Sequence, residues 1–188
     1  MGIDRRLLSF HCTGCGNCCR DPLLPITDCD LRRLMDYTGR SACELVRWVT
    51  AQQIDLDDEP EAFVLLRMGK RVMTLRHRNG GCMLLGPDQR CTVYTARPLG
   101  CRVFPFDTKF DRTGKLRRLE LIQATECVYE RTGKQSIPKL RSQQLEFLDE
   151  VDAFQAKTAG FNQLQRQRAR SRRSLLTASD FFRFLGIG

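Results

Sequence analysis

The stretch His11-Cys12-Thr13-Gly14-Cys15-Gly16-Asn17-Cys18-Cys19-Arg20 decides how the chain is read. Two-residue spacings let the thiolates of Cys12, Cys15 and Cys18 curl around one point through a turn, with backbone amides aimed at the sulfurs. The same spacing opens a ferredoxin-type cluster loop, whose fourth ligand comes from elsewhere in the chain. Two glycines and an asparagine permit the tight turns with positive φ that such a loop needs. Cys18 and Cys19 are neighbours, and adjacent side chains usually diverge, strictly so in extended backbone. The pair therefore points to two neighbouring sites, or to one polynuclear centre approached from two directions.

Further thiols lie downstream. Cys82 follows Gly80-Gly81, Cys91 opens Cys-Thr-Val-Tyr, Cys101 stands in Arg97-Pro98-Leu99-Gly100-Cys101-Arg102, and Cys127 follows a strand-like run. The set Cys12, Cys15, Cys18, Cys19, Cys82, Cys91, Cys101 and Cys127 would fill two tetrahedral four-cysteine sites, or hold one iron–sulfur cluster with thiols left over. Met1 to His11 lacks an apolar signal region, and no apolar run approaches the length of a spanning helix. The expected compartment is the cytoplasm, where thiols stay reduced and ten cysteines in 188 residues mean metal or redox chemistry before disulfides. Cys29 and Cys43 fall in helical pattern and read as small buried hydrophobes. His11 is a further candidate ligand beside Cys12, whereas His77 reads as solvated or hydrogen-bonded. Arg20, Arg97 and Arg102 flank cluster cysteines, where their charge would offset thiolates.

The elements around these thiols are short. Pro22 and Pro25 keep the chain extended after the cluster. A helix starts at Thr27 or Asp28 and ends at Gly39. A second starts at Ser41, with Glu44 completing a capping box and Leu45, Val46, Trp48 and Val49 as its apolar face. Residues 55–61 form an acidic loop, with Asp55, Asp57, Asp58 and Glu59 solvated. Ala62–Met68 and Arg71–Arg76 flank Gly69-Lys70 as a hairpin, and Phe104–Phe110 with Leu116–Ile122 as another. Cys82 to Cys101 is mostly turns. From Pro138 a helix carries Leu140, Leu145, Leu148, Val151 and Phe154 on one face, with Gly160 as its break. The fold expected is α+β: a small cysteine-rich, metal-centred domain over 1–135, with short antiparallel hairpins and two N-terminal helices gathered around the sites. A helix over 136–160 packs on the domain, and a basic, partly apolar tail covers 161–188.

The combined pattern Cys12-x2-Cys15-Gly16-x-Cys18-Cys19, Gly81-Cys82-Met83-Leu84-Leu85 and Cys91-Thr92-Val93-Tyr94-x2-Arg97-Pro98-x2-Cys101-Arg102-x-Phe104-Pro105 resembles the CxxCxxCC, or YkgJ-type, family of zinc- or iron-chelating cysteine-cluster proteins. The resemblance covers roughly residues 10–130. It implies the eight cysteines as the metal-binding set and zinc or iron as the cofactor. Some relatives are called iron–sulfur oxidoreductases, and flagellin lysine methylases are similar around the cluster.

No glycine-rich phosphate loop or dinucleotide fingerprint is present, and no Ser/His/Asp elbow. Two histidines leave little room for general-base chemistry. The leading expectation is a zinc- or iron-chelating protein with metal as its partner and no transmembrane segment. The alternative is an iron–sulfur redox protein or oxidoreductase that assists electron transfer or a protein modification. A third reading rests on the charge of +9, to which residues 156–188 contribute seven cations against the single acid Asp180. In that reading the tail is an adaptor for an acidic partner, nucleic acid or a membrane surface. The arginines would steer and Phe181-Phe182-x-Phe184-Leu185 would anchor, unless those aromatics fold back on the protein's own body.

Overall fold

The structure is a computed structural model that describes residues 2–20, 23–54, 56, 59–122 and 127–188. Pro22, Asp55, Asp57 and Asp58, named above, lie outside the described residues. In chain order the elements are β1 (His11–Cys12), α1 (Asp28–Thr38), α2 (Ala42–Leu45), β2 (Val46–Val49), β3 (Val64–Leu66) and β4 (Gly69–Leu75). There follow β5 (His77–Arg78), β6 (Gly81–Cys82), α3 (Leu99–Val103), β7 (Phe106–Phe110), β8 (Leu116–Leu121), β9 (Tyr129–Glu130), α4 (Ile137–Arg170) and α5 (Ala178–Phe184). Among the described residues, five α-helices and several small antiparallel sheets make the fold α+β, as expected.

The chain divides into two compact units. Unit 1 comprises residues 1–22 and 78–149; unit 2 comprises 23–77 and 150–188. The N-terminal helices α1 and α2 therefore belong with the C-terminal tail in unit 2, while all eight candidate cysteines belong to unit 1.

Unit 1 holds the ribbons β7–β8 and β1–β9. β7 and β8 pair antiparallel around the turn 111–115. That turn closes because Asp111 Oδ1 accepts from Thr113 N, Thr113 Oγ1 and Lys115 N at 2.9, 2.6 and 3.0 Å. β1 pairs with β9, placing His11 opposite Glu130 and Cys12 opposite Tyr129. Leu7, Phe10, Phe106, Leu116, Leu119 and Leu140 form the core of this unit, with Cys127 packed on its edge.

Unit 2 carries the sheet β2-β4-β3, all antiparallel. α1 begins at its expected cap, where Thr27 Oγ1 accepts from Asp30 N at 3.0 Å, and ends at Gly39, which takes the left-handed φ of 67°. The second helix is shorter than expected. Its capping bond, Ser41 N to Glu44 at 2.9 Å, is present, but the helix stops at Leu45. Val46–Val49 instead forms β2, paired with β4 in the register Val46↔Leu75, Trp48↔Met73. β-Branched Val46 and Val49 favour a pleated surface once a partner strand is present. The β3–β4 turn is Arg67-Met68, not Gly69-Lys70, since Leu66 pairs with Gly69.

Two expectations about α4 are corrected. Gly160 does not break it: the helix runs on to Arg170, and a Cβ at Gly160 would meet the Phe184 ring at 3.8 Å. Leu145 and Leu148 do not share a buried face with Leu140 and Phe154 but are exposed. At 100° per residue, Leu145 points about 140° away from Leu140.

The tail adopts the fold-back alternative. Phe181 is fully buried, with ring contacts to Phe161, Trp48 and Phe154 at 4.8, 5.9 and 6.2 Å. Phe182, Leu185 and Ile187 are also buried. Arg32 closes the end by donating to the carbonyls of Leu185 and Gly186. The aromatic anchor expected for a docking arm is therefore part of the core of unit 2.

Candidate metal centre

The first cluster is a loop of two left-handed glycines followed by a tight turn. Gly14 and Gly16 have φ of 73° and 74°, as the sequence predicts, and Gly16 caps the 3₁₀ turn Asn17–Cys19. Gly16 is also a close approach: an added Cβ would lie 3.0 Å from the Gln89 carbonyl oxygen. The helical turn corrects the expectation for Cys18 and Cys19. Their side chains do not diverge; the two Sγ atoms are 4.0 Å apart.

Three later segments come to this loop. β6 brings Cys82, and its Gly81 sits so close to the Cys19 carbonyl that a Cβ would be 3.3 Å from it. A tight loop then turns the chain, held by Gly86 N to Arg90 O at 2.8 Å and Thr92 N to Leu84 O at 2.9 Å, and pairs Leu85 with Cys91. α3 carries Cys101, and Arg102 ties it back by donating to the Arg97 and Thr95 carbonyls at 3.1 and 3.3 Å. Cys127 arrives through the β1–β9 pairing, reinforced by Thr13 Oγ1 donating to the Val128 carbonyl at 2.9 Å.

Electrostatics sort these thiols. Cys127 is pushed up to about 11, first by burial and then by the neighbouring charges of Cys15, Cys12 and Cys18. Cys19 is pushed far up, first because its S–H is held by Cys18, with burial and then the charges of Cys18, Cys82 and Cys101 adding. Burial raises Cys82, and Cys91 and Cys18 add to it. Burial likewise raises Cys91, against the Arg97 guanidinium. Cys18 is lowered, to about 7, chiefly by the S–H of Cys19 and in smaller part by Arg97. The thiol charges thus act on one another in two electrostatic neighbourhoods, Cys127 feeling Cys12, Cys15 and Cys18, and Cys19 and Cys82 between them feeling Cys18, Cys91 and Cys101.

The arginines have separate duties. Arg97 lies over the Tyr94 ring at 4.1 Å. Arg20 bonds to the Gln89 side chain and donates to the Cys15 carbonyl at 3.4 Å. Gln89 and Thr13 are contacts that no spacing rule singles out. His11 lies on exposed β1, and His77 on half-buried β5. Cys29 and Cys43 sit in α1 and α2 of unit 2, but neither is a buried hydrophobe: Cys29 is half-buried and Cys43 exposed. The buried face of α1 passes through Asp28, Asp30, Leu31 and Leu34 and leaves Cys29 off it.

Among the described residues, no three His, Cys, Asp or Glu side chains stand ready-gathered around one point. The donor set nonetheless fits a thiophilic ion. All eight sulfurs are half-buried or exposed, so none is locked in an apolar core.

Comparison with known proteins adds to this geometry. Residues 11–127 match the CxxCxxCC family, whose description is "Putative zinc- or iron-chelating domain". The chain is also similar to an uncharacterized protein of Methanocaldococcus jannaschii, 28% identical over 110 residues that make up 58% of this chain and 50% of that protein. The match thus spans about half the length of that relative. No solved structure matches. Among the described residues no helix is long and apolar enough to cross a membrane.

Proposed function

Because the chain belongs to the CxxCxxCC family, we propose that unit 1 chelates zinc or iron through Cys12, Cys15, Cys18, Cys19, Cys82, Cys91, Cys101 and Cys127. The observation that carries this reading is the sorting of ten cysteines between the two units: these eight fall in unit 1, and Cys29 and Cys43 in unit 2. The electrostatic neighbourhoods favour two four-thiolate sets, Cys12, Cys15, Cys18 and Cys127 in one and Cys19, Cys82, Cys91 and Cys101 in the other. Four thiolates close a zinc site without an open position, which is the arrangement of structural sites.

Metal analysis of the native and variant proteins tests the reading. The native protein should carry about two ions, and Cys15→Ser and Cys101→Ser should each lose about one. Cys29→Ser should keep both. A brown protein in which either variant loses all metal would replace the two sites by one iron–sulfur cluster. Metal-free native protein, or loss of metal in Cys29→Ser, would overturn the assignment.

A further inference from the structure

We propose that unit 2 carries a composite basic surface that binds the phosphodiester backbone of a double-stranded nucleic acid, formed by the β3–β4 hairpin together with the C-terminal end of α4 and the turn after it. This does not rest on metal binding by unit 1. The sequence locates positive charge only in the tail; the structure shows a second contributor. Residues 62–78 contain no acid, and their hairpin holds Arg67, Lys70 and Arg71. Residues 161–177 also contain no acid, and hold Arg166, Arg168, Arg170, Arg172 and Arg173.

A buried glutamine joins the two stretches. Gln165 is fully buried on α4. Its Nε2 donates to the Leu65 carbonyl at 2.7 Å and to the Leu176 carbonyl at 3.0 Å, and its Oε1 accepts from Leu176 N at 2.8 Å. One helical turn earlier, Asn162 accepts from Leu65 N at 2.6 Å and donates to the Phe63 carbonyl at 2.8 Å. Arg67 N donates to the Leu176 carbonyl at 2.9 Å. Strand, helix end and turn are therefore one rigid platform. Arg168 serves the platform itself, donating to the Ser174 carbonyl at 2.9 Å. Arg67, Lys70, Arg166, Arg170, Arg172 and Arg173 are exposed, and among the described residues none of them has an ion-pair partner.

The chemistry of the patch selects its ligand. Seven of the eight cations are arginine, whose planar fork matches phosphate oxygens in pairs. Capping of the negative end of the helix accounts for cations in its last turn. It does not account for those on the hairpin. A bilayer would require an apolar face beside the charge. The tail's Phe181, Phe182, Leu185 and Ile187 are buried, and the exposed apolar residues are single side chains on separate elements: Met68 at the hairpin tip, Leu164 on α4 and Phe184 on α5. Of the rings in 62–78 and 161–177, Phe161 is buried and Phe63 and His77 are half-buried, so none is fully open to stack on unpaired bases and the backbone of a duplex is favoured over single strands.

Fluorescence anisotropy of the full chain with 20-base-pair DNA and RNA duplexes tests this. Binding is expected at 50 mM KCl, indifferent to base sequence. With about five phosphates contacted, a fourfold rise in salt should weaken it roughly 500-fold. Arg67→Gln with Lys70→Gln should lower the salt slope by about 2, and Arg166→Gln, Arg170→Gln and Arg173→Gln together by about 3. The matched pair Arg131→Gln and Lys134→Gln, exposed in unit 1, should leave the slope unchanged. The triple Arg→Lys variant at 166, 170 and 173 preserves charge and should still bind, which separates charge loss from misfolding. Absence of duplex binding at 50 mM would overturn the proposal. So would equal weakening by the unit 1 pair, preference for a single strand, or tighter binding to vesicles of phosphatidylcholine and phosphatidylserine than to either duplex.

Discussion

Replacing Phe181 by alanine separates a tail that completes a core from a tail that docks elsewhere. Phe181 is fully buried and touches the rings of Phe161, Trp48 and Phe154, which come from α4 and β2, with Phe184 stacked at 6.5 Å. Truncating a buried phenylalanine costs about 3–5 kcal/mol, from lost transfer energy and the cavity left behind. The edge-to-face geometry at Phe161 puts the expected value in the upper part of that range. For a chain of this length each kcal/mol lowers Tm by about 2–4 °C, so the melt should fall by roughly 6–20 °C. Phe184, whose ring is nearly half exposed, provides the internal comparison, and Phe184→Ala should cost well under half as much. Differential scanning calorimetry reads the melts, and metal analysis below the transition should find the Phe181→Ala protein as fully loaded as the native one. The eight thiols lie in the other unit, so local loss of packing around α5 leaves their donors in place. An unchanged Tm for Phe181→Ala would refute the packed tail.

Two further outcomes follow from particular contacts. Gly16→Ala forces a side chain into a left-handed conformation, which costs about 1–2 kcal/mol, and aims its Cβ at the Gln89 carbonyl. Metal should then be lost to a competing chelator at about tenfold lower concentration, and identical competition curves would count against the loop geometry. The Asp111 carboxyl is held well below the usual carboxylate range, first by the Thr113 hydroxyl and then by the Lys115 amide, with Arg117 adding. Its contribution to stability is therefore present above the unfolded value near 3.9 and lost as pH falls through the folded one. Asp111→Asn should lower the melt at pH 7 and flatten the acid limb of the stability profile, and a parallel acid limb in the variant would refute that role.

Local signals were legible and partner-dependent ones were not. The helix from Thr27 to Gly39 could be read because its cap and its stop are written in the adjacent residues. Val46–Val49 could not, because apolar residues at 45, 46, 48 and 49 suit a helix face as well as a strand, and β4 decides between them. The spacing of Cys12, Cys15 and Cys18 gives the candidate ligands, but their neighbours depend on pairing. Cys127 meets Cys12 because β1 finds β9 across more than a hundred residues, and no short-range pattern encodes that. The angle between Cys18 and Cys19 turned on a single 3₁₀ turn that extended-chain reasoning does not foresee. The fold-back of Phe181 likewise required Trp48, which lies far upstream in the sequence.

The order of the segments has a thermodynamic consequence for the proposed metal sites. Cys19 and Cys82 stand 63 residues apart, and closing a loop of that length would cost a metal site dearly if the intervening chain were loose. Most of that chain belongs to unit 2, which is compact. Within that unit the two ends of the first segment run side by side: Pro25 bridges to Thr74, Ile26 N donates to the Met73 carbonyl at 3.0 Å, and Leu75 N to the Leu24 carbonyl at 3.1 Å. Folded unit 2 therefore returns the chain beside the point where it left. The effective loop between Cys19 and Cys82 shrinks to about a dozen residues. The logarithmic dependence of closure on length makes that contraction worth about 1.5 kcal/mol, or roughly tenfold in metal affinity. Unit 2 would thus favour the proposed thiolate sites without supplying one of their proposed ligands, and unfolding it should weaken metal binding by about that factor while leaving the eight proposed donors present.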